Sequence, residues 1–259
     1  MSIKQDRLGL IIQARIGSQR LPEKVILPMI EGKSILDIMI CRLKFIKGNV
    51  PIVIATGKLP QNAPLHLVAA KHNVSIFSGD EDDVLNRFID CAQQFQFTRV
   101  VRICADNPFI DIELINELIQ HYADQQYDYV SYAVNQKPAI LTHFGFFAEL
   151  VSVDALNRAH KATHNKLDLE HVTRFMYTHP DLFSAHFVEA PKQIANSENI
   201  RLTVDTMSDF ENAKGILEQL LRYKNISEYN YKDVLAVIAQ LNPRIIDSMH
   251  NQIVENSKS

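Results

Sequence analysis

The fold is decided by residues 8–24, which read Leu8-Gly-Leu-Ile-Ile-Gln-Ala-Arg15-Ile-Gly17-Ser18-Gln-Arg20-Leu-Pro22-Glu-Lys24. The apolar first half predicts a strand buried on both faces, as is typical of parallel sheets. Charge begins where the apolar run ends, and the next ten residues contain three cations, a hydroxyl and a glycine: Arg15, Gly17, Ser18, Arg20 and Lys24. Because open α/β sheets bind ligands at the carboxyl ends of their strands, this composition predicts a site for a polyphosphate.

The rest of the sequence alternates between strand and helix patterns. Strand patterns stand at 51–56, 74–77, 99–104, 127–132 and 200–206, and helical spacing of apolar residues at 35–43, 84–89, 112–122, 153–162, 168–178, 210–223 and 231–241. Such alternation predicts an α/β fold with a mostly parallel sheet and helices on both faces. We expect one domain over 1–242 with an insertion at about 133–190, followed by a loose polar tail over 243–259.

Composition and charge exclude several classes of protein. The chain has 259 residues, of which 46% are hydrophobic, so it is long enough to bury a full core. Its net charge of -3 and pI near 6.4 argue against general nucleic-acid binding. An odd set of unclustered cysteines, Cys41, Cys91 and Cys104, indicates buried thiols in a reducing compartment. The sequence shows neither a signal peptide nor a long uncharged run, so we expect a cytoplasmic protein without a membrane partner.

Two carboxylates follow predicted strands. Asp106 comes after the strand at 99–104, and Pro108 ends that strand because it cannot donate a ladder hydrogen bond. A carboxylate at such a position either caps a loop or holds Mg²⁺ beside substrate phosphates. Asp205 ends the pattern at 200–206, and Thr206 or Ser208 can already cap the helix that follows. The sequence therefore does not require Asp205 for capping.

Several segments resemble the SpsF-like branch of the CTP-dependent cytidylyltransferases. The matching segments are Gln13-Ala-Arg15, Gly17-Ser18, Arg20-Leu-Pro22, Lys24, Gly79, Asp82-Asp83-Val84-Leu85, Arg87, Ala105-Asp106, Glu170-His171-Val172-Thr173 and Val204-Asp205-Thr206. They run from Leu10 to Glu211, so the resemblance covers most of the chain. It implies a Rossmann-like nucleotidyltransferase fold of the nucleotide-diphospho-sugar transferase type.

The resemblance also assigns roles at the nucleotide site. It implies catalytic roles for Arg15, Lys24, Asp106 and Asp205, with Asp106 and Asp205 as ligands of Mg²⁺. The residues expected to bind the nucleotide are Ala14, Arg15, Gly17, Ser18, Arg20, Lys24, Thr56, Gly57, Asp83, Arg87, Ala105 and Asp106.

A second group of residues is expected to bind the acceptor. It consists of Arg102, Glu149, Glu170 and His171, with Tyr132, Phe146 and Phe147 as an apolar wall. The family commonly has an aspartate at the position of Phe147, so this chain departs from the pattern at its acceptor site. For Glu170 and His171, a role in helix capping or a dimer contact is an equal alternative.

The function implied by the resemblance is transfer of CMP from CTP to an anionic acceptor, with release of pyrophosphate. The acceptor would be an acidic sugar or a phosphorylated small molecule, and the pathway surface polysaccharide biosynthesis. The resemblance further implies that Mg²⁺ is required and that the protein is a homodimer.

Two other functions compete with this one. Asp80 and Asp82 have the DxD spacing of a GT-A-type glycosyltransferase that uses a nucleotide sugar, although an acidic cluster before a helix is also explained by capping. The second alternative is a non-catalytic nucleotide-binding partner, which would have no use for both metal carboxylates.

Two further patterns carry no function. Gly32-Lys33-Ser34 is part of a Walker A motif, but Leu27 stands where its first glycine should be, so we interpret it as a turn with Ser34 as a helix cap. His160 and His164 are one helical turn apart but lack the glutamate of a His-Glu-x-x-His motif, so we interpret them as a solvated face.

Overall fold

A computed structural model describes residues 7–123, 126–197 and 199–255. Its main sheet has eight strands: β1 (Leu8–Gln13), β4 (Ile52–Gly57), β5 (Ser75–Gly79), β6 (Arg99–Cys104), β7 (Tyr129–Val134), β8 (Lys137–Pro138), β9 (Glu149–Ser152) and β10 (Ala185–Glu189). The order across the sheet is β10-β7-β9-β6-β1-β4-β5, with β8 paired to β7. A separate hairpin joins β2 (Pro28–Ile30) to β3 (Lys33–Ser34).

The central strands are parallel and fully covered. Leu10, Ile11 and Ile12 of β1 are 0% exposed, as expected for a strand with helices on both faces. β1 pairs in parallel with β4 on one side and β6 on the other, so that Gln13 lies opposite both Ala55 and Cys104. The carboxyl ends of the three strands therefore meet at one edge, which is where the predicted site residues follow.

Helices cover both faces, as the sequence predicts. One face carries α1 (Ile35–Leu43), α2 (Ala63–His72), α4 (Ile112–Ala123), α8 (Lys192–Ala195), α9 (Met207–Leu220), α10 (Tyr231–Ile238) and α11 (Pro243–Glu255). The other carries α3 (Val84–Gln94), α5 (Val153–Ala162), α6 (Lys166–Glu170) and α7 (Arg174–Thr178). The predicted turn and cap before α1 are confirmed, because Gly32 has a φ of 70° and the Ser34 side chain accepts a hydrogen bond from the Asp37 amide.

The structure corrects three predicted elements. The strand predicted at 200–206 does not form within the described residues. The Leu202 amide donates to the His143 carbonyl oxygen and the Val204 amide to the Asp106 carbonyl oxygen, so the segment does not pair with a neighbouring strand. The helix predicted at 168–178 is divided by Val172, whose φ of 50° is left-handed. The tail after 243 is not loose, because it forms α11 over Pro243–Glu255 and buries Met249.

The region expected as an insertion is built into the main sheet. Within 133–190, β9 lies between β6 and β7 and is antiparallel to both, while β10 forms one edge of the sheet. The three cysteines are free, as expected, but only Cys91 is fully buried, and Cys41 and Cys104 are partly exposed. In the part of the chain that the structure describes, no helix is both long enough and apolar enough to cross a bilayer.

A buried arginine joins the N-terminal and C-terminal parts of the fold. Arg42 of α1 is 0% exposed and donates to the carbonyl oxygens of Ile110, Ile226 and Tyr229 at 3.0, 2.7 and 3.0 Å. Its guanidinium also lies 3.6 Å from the centre of the Tyr229 ring. Two distant segments of backbone, the one at Ile110 and the one that contains Ile226 and Tyr229, therefore depend on one side chain for hydrogen bonds.

The Arg42→Lys variant tests this dependence. Lysine cannot reproduce the planar arrangement of donors, so buried carbonyls lose their partners, and we expect the free energy of unfolding to fall by about 2–3 kcal/mol. Urea unfolding measures the change, with Arg222→Lys at an exposed position as the matched control. Equal unfolding midpoints for the two variants would contradict the role given to Arg42.

Candidate active site

The loop after β1 is anchored by a buried asparagine. The Asn62 side chain, 1% exposed, accepts a hydrogen bond from the Ile16 amide at 3.0 Å. Its amide nitrogen donates to the Gly57 carbonyl oxygen and to the Glu81 carboxylate, both at 3.2 Å. Asn62 thus links the loop to the end of β4 and to the acidic segment before α3. Sequence reasoning missed it, since a single asparagine after Pro60 carries no motif.

The left-handed position in the backbone of this loop is not Gly17. Gly17 does not have a positive φ, and a β-carbon there would meet only the end of the exposed Gln61 side chain, at 3.1 Å. The left-handed residue is Glu23, with a φ of 58°. It directly precedes Lys24, whose side chain reaches the centre of the site.

Lys24 joins the two predicted metal carboxylates. Its Nζ lies 3.0 Å from Asp205 Oδ1 and 3.6 Å from Asp106 Oδ2, and it also donates to the Val204 carbonyl oxygen at 2.7 Å. Arg20 approaches the same Asp205 oxygen at 3.1 Å. The two aspartates, 99 positions apart in the sequence, therefore meet at the loop that follows β1.

Asp205 is oriented by groups behind it. Arg201, 2% exposed, donates to Asp205 Oδ2 at 2.8 Å and to the two oxygens of Asp209 at 2.7 and 3.2 Å. Asp209 in turn accepts from the Asp205 amide at 3.0 Å and forms a capping box with Thr206 at the start of α9. The cap predicted at Thr206 is confirmed. Arg201 and Asp209 fix the carboxylate, and sequence reasoning missed this role of both.

The charges around Asp205 control its ionisation. Burial raises the pKa of the Asp205 carboxyl, but the neighbouring Lys24, Arg20 and Arg201 outweigh burial and lower the pKa to about 2. The carboxylate is therefore charged at neutral pH and is held in place by three cations.

The donor set fits a hard divalent cation. Mg²⁺ is bound by one or two carboxylates, with water and substrate phosphates in its other positions. Asp106 and Asp205 supply two carboxylates, which Lys24 Nζ contacts at 3.6 and 3.0 Å. Among the described residues, no group of three or more histidines, cysteines or acids is placed to bind a metal by itself. The residues present therefore suit an ion shared with a phosphate substrate.

The acidic segment before α3 is used for capping. Asp80 accepts hydrogen bonds from the amides of Asp82 and Asp83 at 2.9 and 2.8 Å, and these bonds lower its pKa. Asp83 caps α3 through the Asn86 amide and lies 2.8 Å from Nε2 of His160. Asp83, which is predicted to bind the nucleotide, thus caps a helix. His160 contacts the Asp83 carboxylate.

Arg87, which is predicted to bind the nucleotide, lies buried beside the acidic segment. Only 1% of the residue is exposed, and its Nη1 donates to the carbonyl oxygens of Asp80 and Glu81 at 2.6 and 3.2 Å. Burial lowers the pKa of this guanidinium. Arg87 therefore holds the backbone of the segment that faces the end of β4, where Glu81 packs against Gly57.

The remaining predicted nucleotide residues lie at the three strand ends. The Ala14 amide donates to the Ala55 carbonyl oxygen and the Ala105 amide to the Gln13 carbonyl oxygen, both at 3.1 Å. Ser18 is partly exposed in the loop, and half of the Arg15 side chain is exposed. Thr56 of β4 is fully buried. The structure brings these residues to one edge of the sheet, and their contacts with a nucleotide stay a prediction.

Arg102 and Glu149 form a buried ion pair. Each side chain is 4% exposed, and Glu149 also accepts from the Tyr129 and Thr173 hydroxyls at 2.7 and 2.8 Å. The remaining donors of Arg102 reach Gln13 Oε1 at 2.9 and 3.2 Å. These two residues, predicted to bind an acceptor, thus present a neutral pair instead of a free charge.

A pocket opens beside Asp106 and is lined by Arg102, Asp106, Asn107, Phe147, Glu149 and Thr203, among others. Of the predicted apolar wall, only Phe147 lines it. Tyr132 instead donates to the Leu114 carbonyl oxygen at 3.1 Å, and Phe146 is 0% exposed in the core. The prediction of an apolar wall is therefore wrong for Tyr132 and Phe146.

Glu170 and His171 lie outside the lining of this pocket. The Glu170 carboxylate is 3.5 Å from Arg15 in the loop after β1, and His171 is exposed at the end of α6. Glu170 is thus associated with the predicted nucleotide loop instead of the pocket.

Comparison with known proteins identifies the group to which this site belongs. A family model described as cytidylyltransferase matches residues 10–234. The chain belongs to the cytidylyltransferase family. This cytidylyltransferase is a CTP-dependent nucleotidyltransferase, which speaks against the non-catalytic alternative.

Two curated proteins are similar over most of their length. The spore coat polysaccharide biosynthesis protein SpsF of Bacillus subtilis is 32% identical over 216 residues, which are 81% of this chain and 85% of SpsF. An uncharacterised protein of Methanocaldococcus jannaschii is 39% identical over 202 residues, 78% of this chain and 79% of the relative. The predicted resemblance to SpsF is confirmed.

Solved structures confirm the nucleotidyltransferase fold. A cytidylyltransferase from Leptospira borgpetersenii superposes with a TM-score of 0.80 at 26% identity, over 93% of this chain and 97% of that one. A CMP:2-keto-3-deoxy-manno-octonic acid synthetase, solved in complex with CTP, superposes with a TM-score of 0.62 at 15% identity, over 83% and 99%. The second likeness shows the shared fold.

The low pKa of Asp205 predicts a pH-dependent stability. At neutral pH, Asp205→Asn should lower the free energy of unfolding by about 2 kcal/mol, because the charge that balances three cations is lost. The native pKa is depressed, so this contribution is complete above the unfolded value near 4 and disappears as the pH falls through about 2. Urea unfolding from pH 7 to 2.5 should therefore show the difference from the wild type narrowing below about pH 4.

A control at the surface separates this effect from general loss of acid stability. Asp154→Asn removes a carboxylate whose side chain is 81% exposed beside Arg158, and we expect little change at any pH. A difference between wild type and Asp205→Asn that stays constant down to pH 2.5 would contradict the ionisation assigned to Asp205.

Proposed function

We propose that this cytidylyltransferase transfers CMP from CTP to an anionic acceptor, with release of pyrophosphate, in surface polysaccharide biosynthesis. The observation that carries the proposal is the contact of Lys24 with both Asp106 and Asp205 at the carboxyl ends of the central strands. Phosphoryl transfer consists mainly of positioning and charge neutralisation, and this cluster supplies both.

The cations of the first loop would act on the phosphates. Lys24 is held at the centre, while Arg15 and Arg20 are about half exposed at the rim of the site. Attack of an acceptor oxygen on the α-phosphorus breaks the bond to pyrophosphate, whose leaving oxygen gains negative charge. Arg15, Arg20 and Lys24 would stabilise that charge, and Ser18 with the loop amides would add hydrogen bonds.

Asp106 and Asp205 would hold Mg²⁺ against the phosphates. When bound there, the ion supplies charge neutralisation and orients the phosphate groups. Arg201 and Asp209 keep the Asp205 carboxylate in place, so the ligand is oriented before the ion binds.

The nature of the acceptor is supported by the names of the relatives. SpsF is named as a spore coat polysaccharide biosynthesis protein, and the synthetase that shares the fold is named for an acidic sugar. We therefore propose an acidic sugar or a phosphorylated small molecule as the acceptor. We also propose a homodimer built through the region 133–190, which analytical ultracentrifugation tests directly.

The glycosyltransferase alternative is weakened by the acidic segment. The carboxylate of Asp80 already accepts two backbone amides, and its neighbour Asp83 caps α3. Asp80 therefore has a structural role that needs no metal.

Thermal stabilisation by nucleotides tests the proposed donor. CTP with Mg²⁺ should raise the melting temperature, by several degrees at concentrations a hundredfold above Kd. UTP, ATP and GTP should give smaller shifts, and omitting Mg²⁺ should reduce the shift with CTP. A shift only with UDP or a UDP-sugar and Mn²⁺ would favour the glycosyltransferase and contradict the proposal.

Two variants locate the metal carboxylates. Asp106→Asn should reduce the rate of pyrophosphate release by about a hundredfold or more, since the charge facing the metal and phosphates is lost. Asp80→Asn is the control, because asparagine retains the oxygen that accepts the two amides, and its rate should stay near that of the wild type. If Asp80→Asn lost activity while Asp106→Asn kept the wild-type rate, the metal would be assigned to Asp80, and this would contradict the proposal.

A further inference from the structure

Both oxygens of the Asp205 carboxylate already have a cationic partner. Oδ1 lies 3.0 Å from Lys24 Nζ and 3.1 Å from Arg20, and Oδ2 accepts a hydrogen bond from the buried Arg201 at 2.8 Å. A carboxylate oxygen has two lone pairs, so the two cations at Oδ1 use the acceptor capacity of that oxygen. A metal ion that binds Asp205 through Oδ1 therefore competes with Lys24 and Arg20.

Lys24 is the cation that contacts both predicted metal ligands. Its Nζ lies 3.6 Å from Asp106 Oδ2 as well as 3.0 Å from Asp205 Oδ1, and 13% of the side chain is exposed. The ammonium also donates to the Val204 carbonyl oxygen at 2.7 Å, and the Lys24 amide donates to the Leu21 carbonyl oxygen at 3.3 Å. Backbone and side-chain contacts thus hold the ammonium against the two carboxylates that a shared metal ion would need.

The formal charges of this cluster already balance. Ion contacts link three cations with three carboxylates, which are Lys24, Arg20, Arg201, Asp106, Asp205 and Asp209. A divalent cation that entered alone would add uncompensated positive charge beside Lys24 and Arg201, whose side chains are 13% and 0% exposed. Because charges that are largely buried are screened poorly by salt and water, the cluster disfavours a free metal ion.

A nucleoside triphosphate removes this obstacle, because its complex with Mg²⁺ is still an anion. Its phosphate oxygens accept strong charge-assisted hydrogen bonds from ammonium and guanidinium groups. Half of the Arg20 side chain is exposed, and the flexible stem of Lys24 lets its ammonium change partners. When both cations turn to phosphate oxygens, Asp205 Oδ1 and Asp106 Oδ2 become available to the metal ion.

We propose that Lys24 and Arg20 exclude a free divalent cation from Asp106 and Asp205, so that the metal ion enters only together with the phosphates of the nucleotide. This inference rests on the proposed function, because it uses the metal ligands and the nucleotide assigned there. Lys24 and Arg20 thus have two alternative sets of partners, the carboxylates and the phosphates. The exchange between them protects the carboxylates from unproductive metal binding.

Binding of Mn²⁺ without nucleotide tests the exclusion, and it needs no activity assay. Mn²⁺ prefers the same oxygen ligands as Mg²⁺, and electron paramagnetic resonance measures the fraction that is not bound. We expect weak binding by the wild type and at least roughly tenfold tighter binding by Lys24→Met, because a positive charge beside the ion is removed. Arg20→Met should give a smaller gain, since the charge of a half-exposed side chain is better screened.

A matched control and a double variant locate the effect. Lys33→Met removes a cation that is paired with Glu31 at 3.0 Å in the hairpin of β2 and β3, and its affinity for Mn²⁺ should equal that of the wild type. Adding Asp106→Asn to Lys24→Met should abolish the gain, because one of the two metal carboxylates is lost. If Lys24→Met does not fold, Arg20→Met decides the test, since Arg20 lies at the rim.

The outcomes separate this inference from the proposed function. If CTP with Mg²⁺ does not stabilise the wild type, the proposed function fails. If CTP with Mg²⁺ stabilises it, but neither Lys24→Met nor Arg20→Met binds Mn²⁺ more tightly than the wild type, the exclusion is wrong and the nucleotide site stands. A gain in Lys24→Met that persists after Asp106→Asn would place the ion elsewhere and would also overturn the inference.

Discussion

The ion cluster around Asp205 is the interaction on which the site depends. A carboxylate that is 13% exposed is held among three cations: Arg20 and Lys24 come from the loop after β1, and Arg201 lies four residues before Asp205. Partly buried ions are stable only when they are paired, so neither Lys24 nor Arg201 can move far without leaving Asp205 less compensated. The requirement for charge balance therefore fixes the distance between the β1 loop and the start of α9.

The cations of this protein fall into two groups that the sequence does not distinguish. Arg42, Arg87 and Arg201 are buried and donate to carbonyl oxygens or to acids inside the fold, whereas Arg15 and Arg20 are half exposed at the rim. A buried guanidinium needs several fixed acceptors, and it binds backbone segments together when those acceptors are carbonyls. The buried arginines stabilise the fold around the site, and the half-exposed arginines are accessible to a phosphate.

The parts predicted correctly from sequence follow from local rules. The apolar run of β1 predicts a central strand, and carboxyl ends of parallel strands must meet at one edge, so the approach of Lys24 to Asp106 was predictable. The roles of Arg87 and Arg102 were not, because their partners are backbone carbonyls, or acids such as Glu149, that become neighbours only in the folded sheet.

Two structural errors have similar causes. The segment 200–206 has the composition of a strand, but its amides bond to His143 and Asp106 on separate loops, so no ladder forms. The polar tail hides an apolar stripe at helical spacing, with Ile245 and Ile246 packed on the core and Met249 buried. In both cases the tertiary partner decides the structure, and a propensity calculated along the chain contains no information about that partner.

The arrangement of charge divides the site into two regions with different chemistry. The β1 loop exposes cations that suit phosphates, while the one arginine that lines the pocket beside Asp106 is balanced, because Glu149 cancels the charge of Arg102. A cation buried in the pocket would attract a phosphate of the nucleotide as strongly as an anionic acceptor, since charge alone does not distinguish them. The pocket therefore leaves the phosphates of the nucleotide to the exposed cations of the β1 loop.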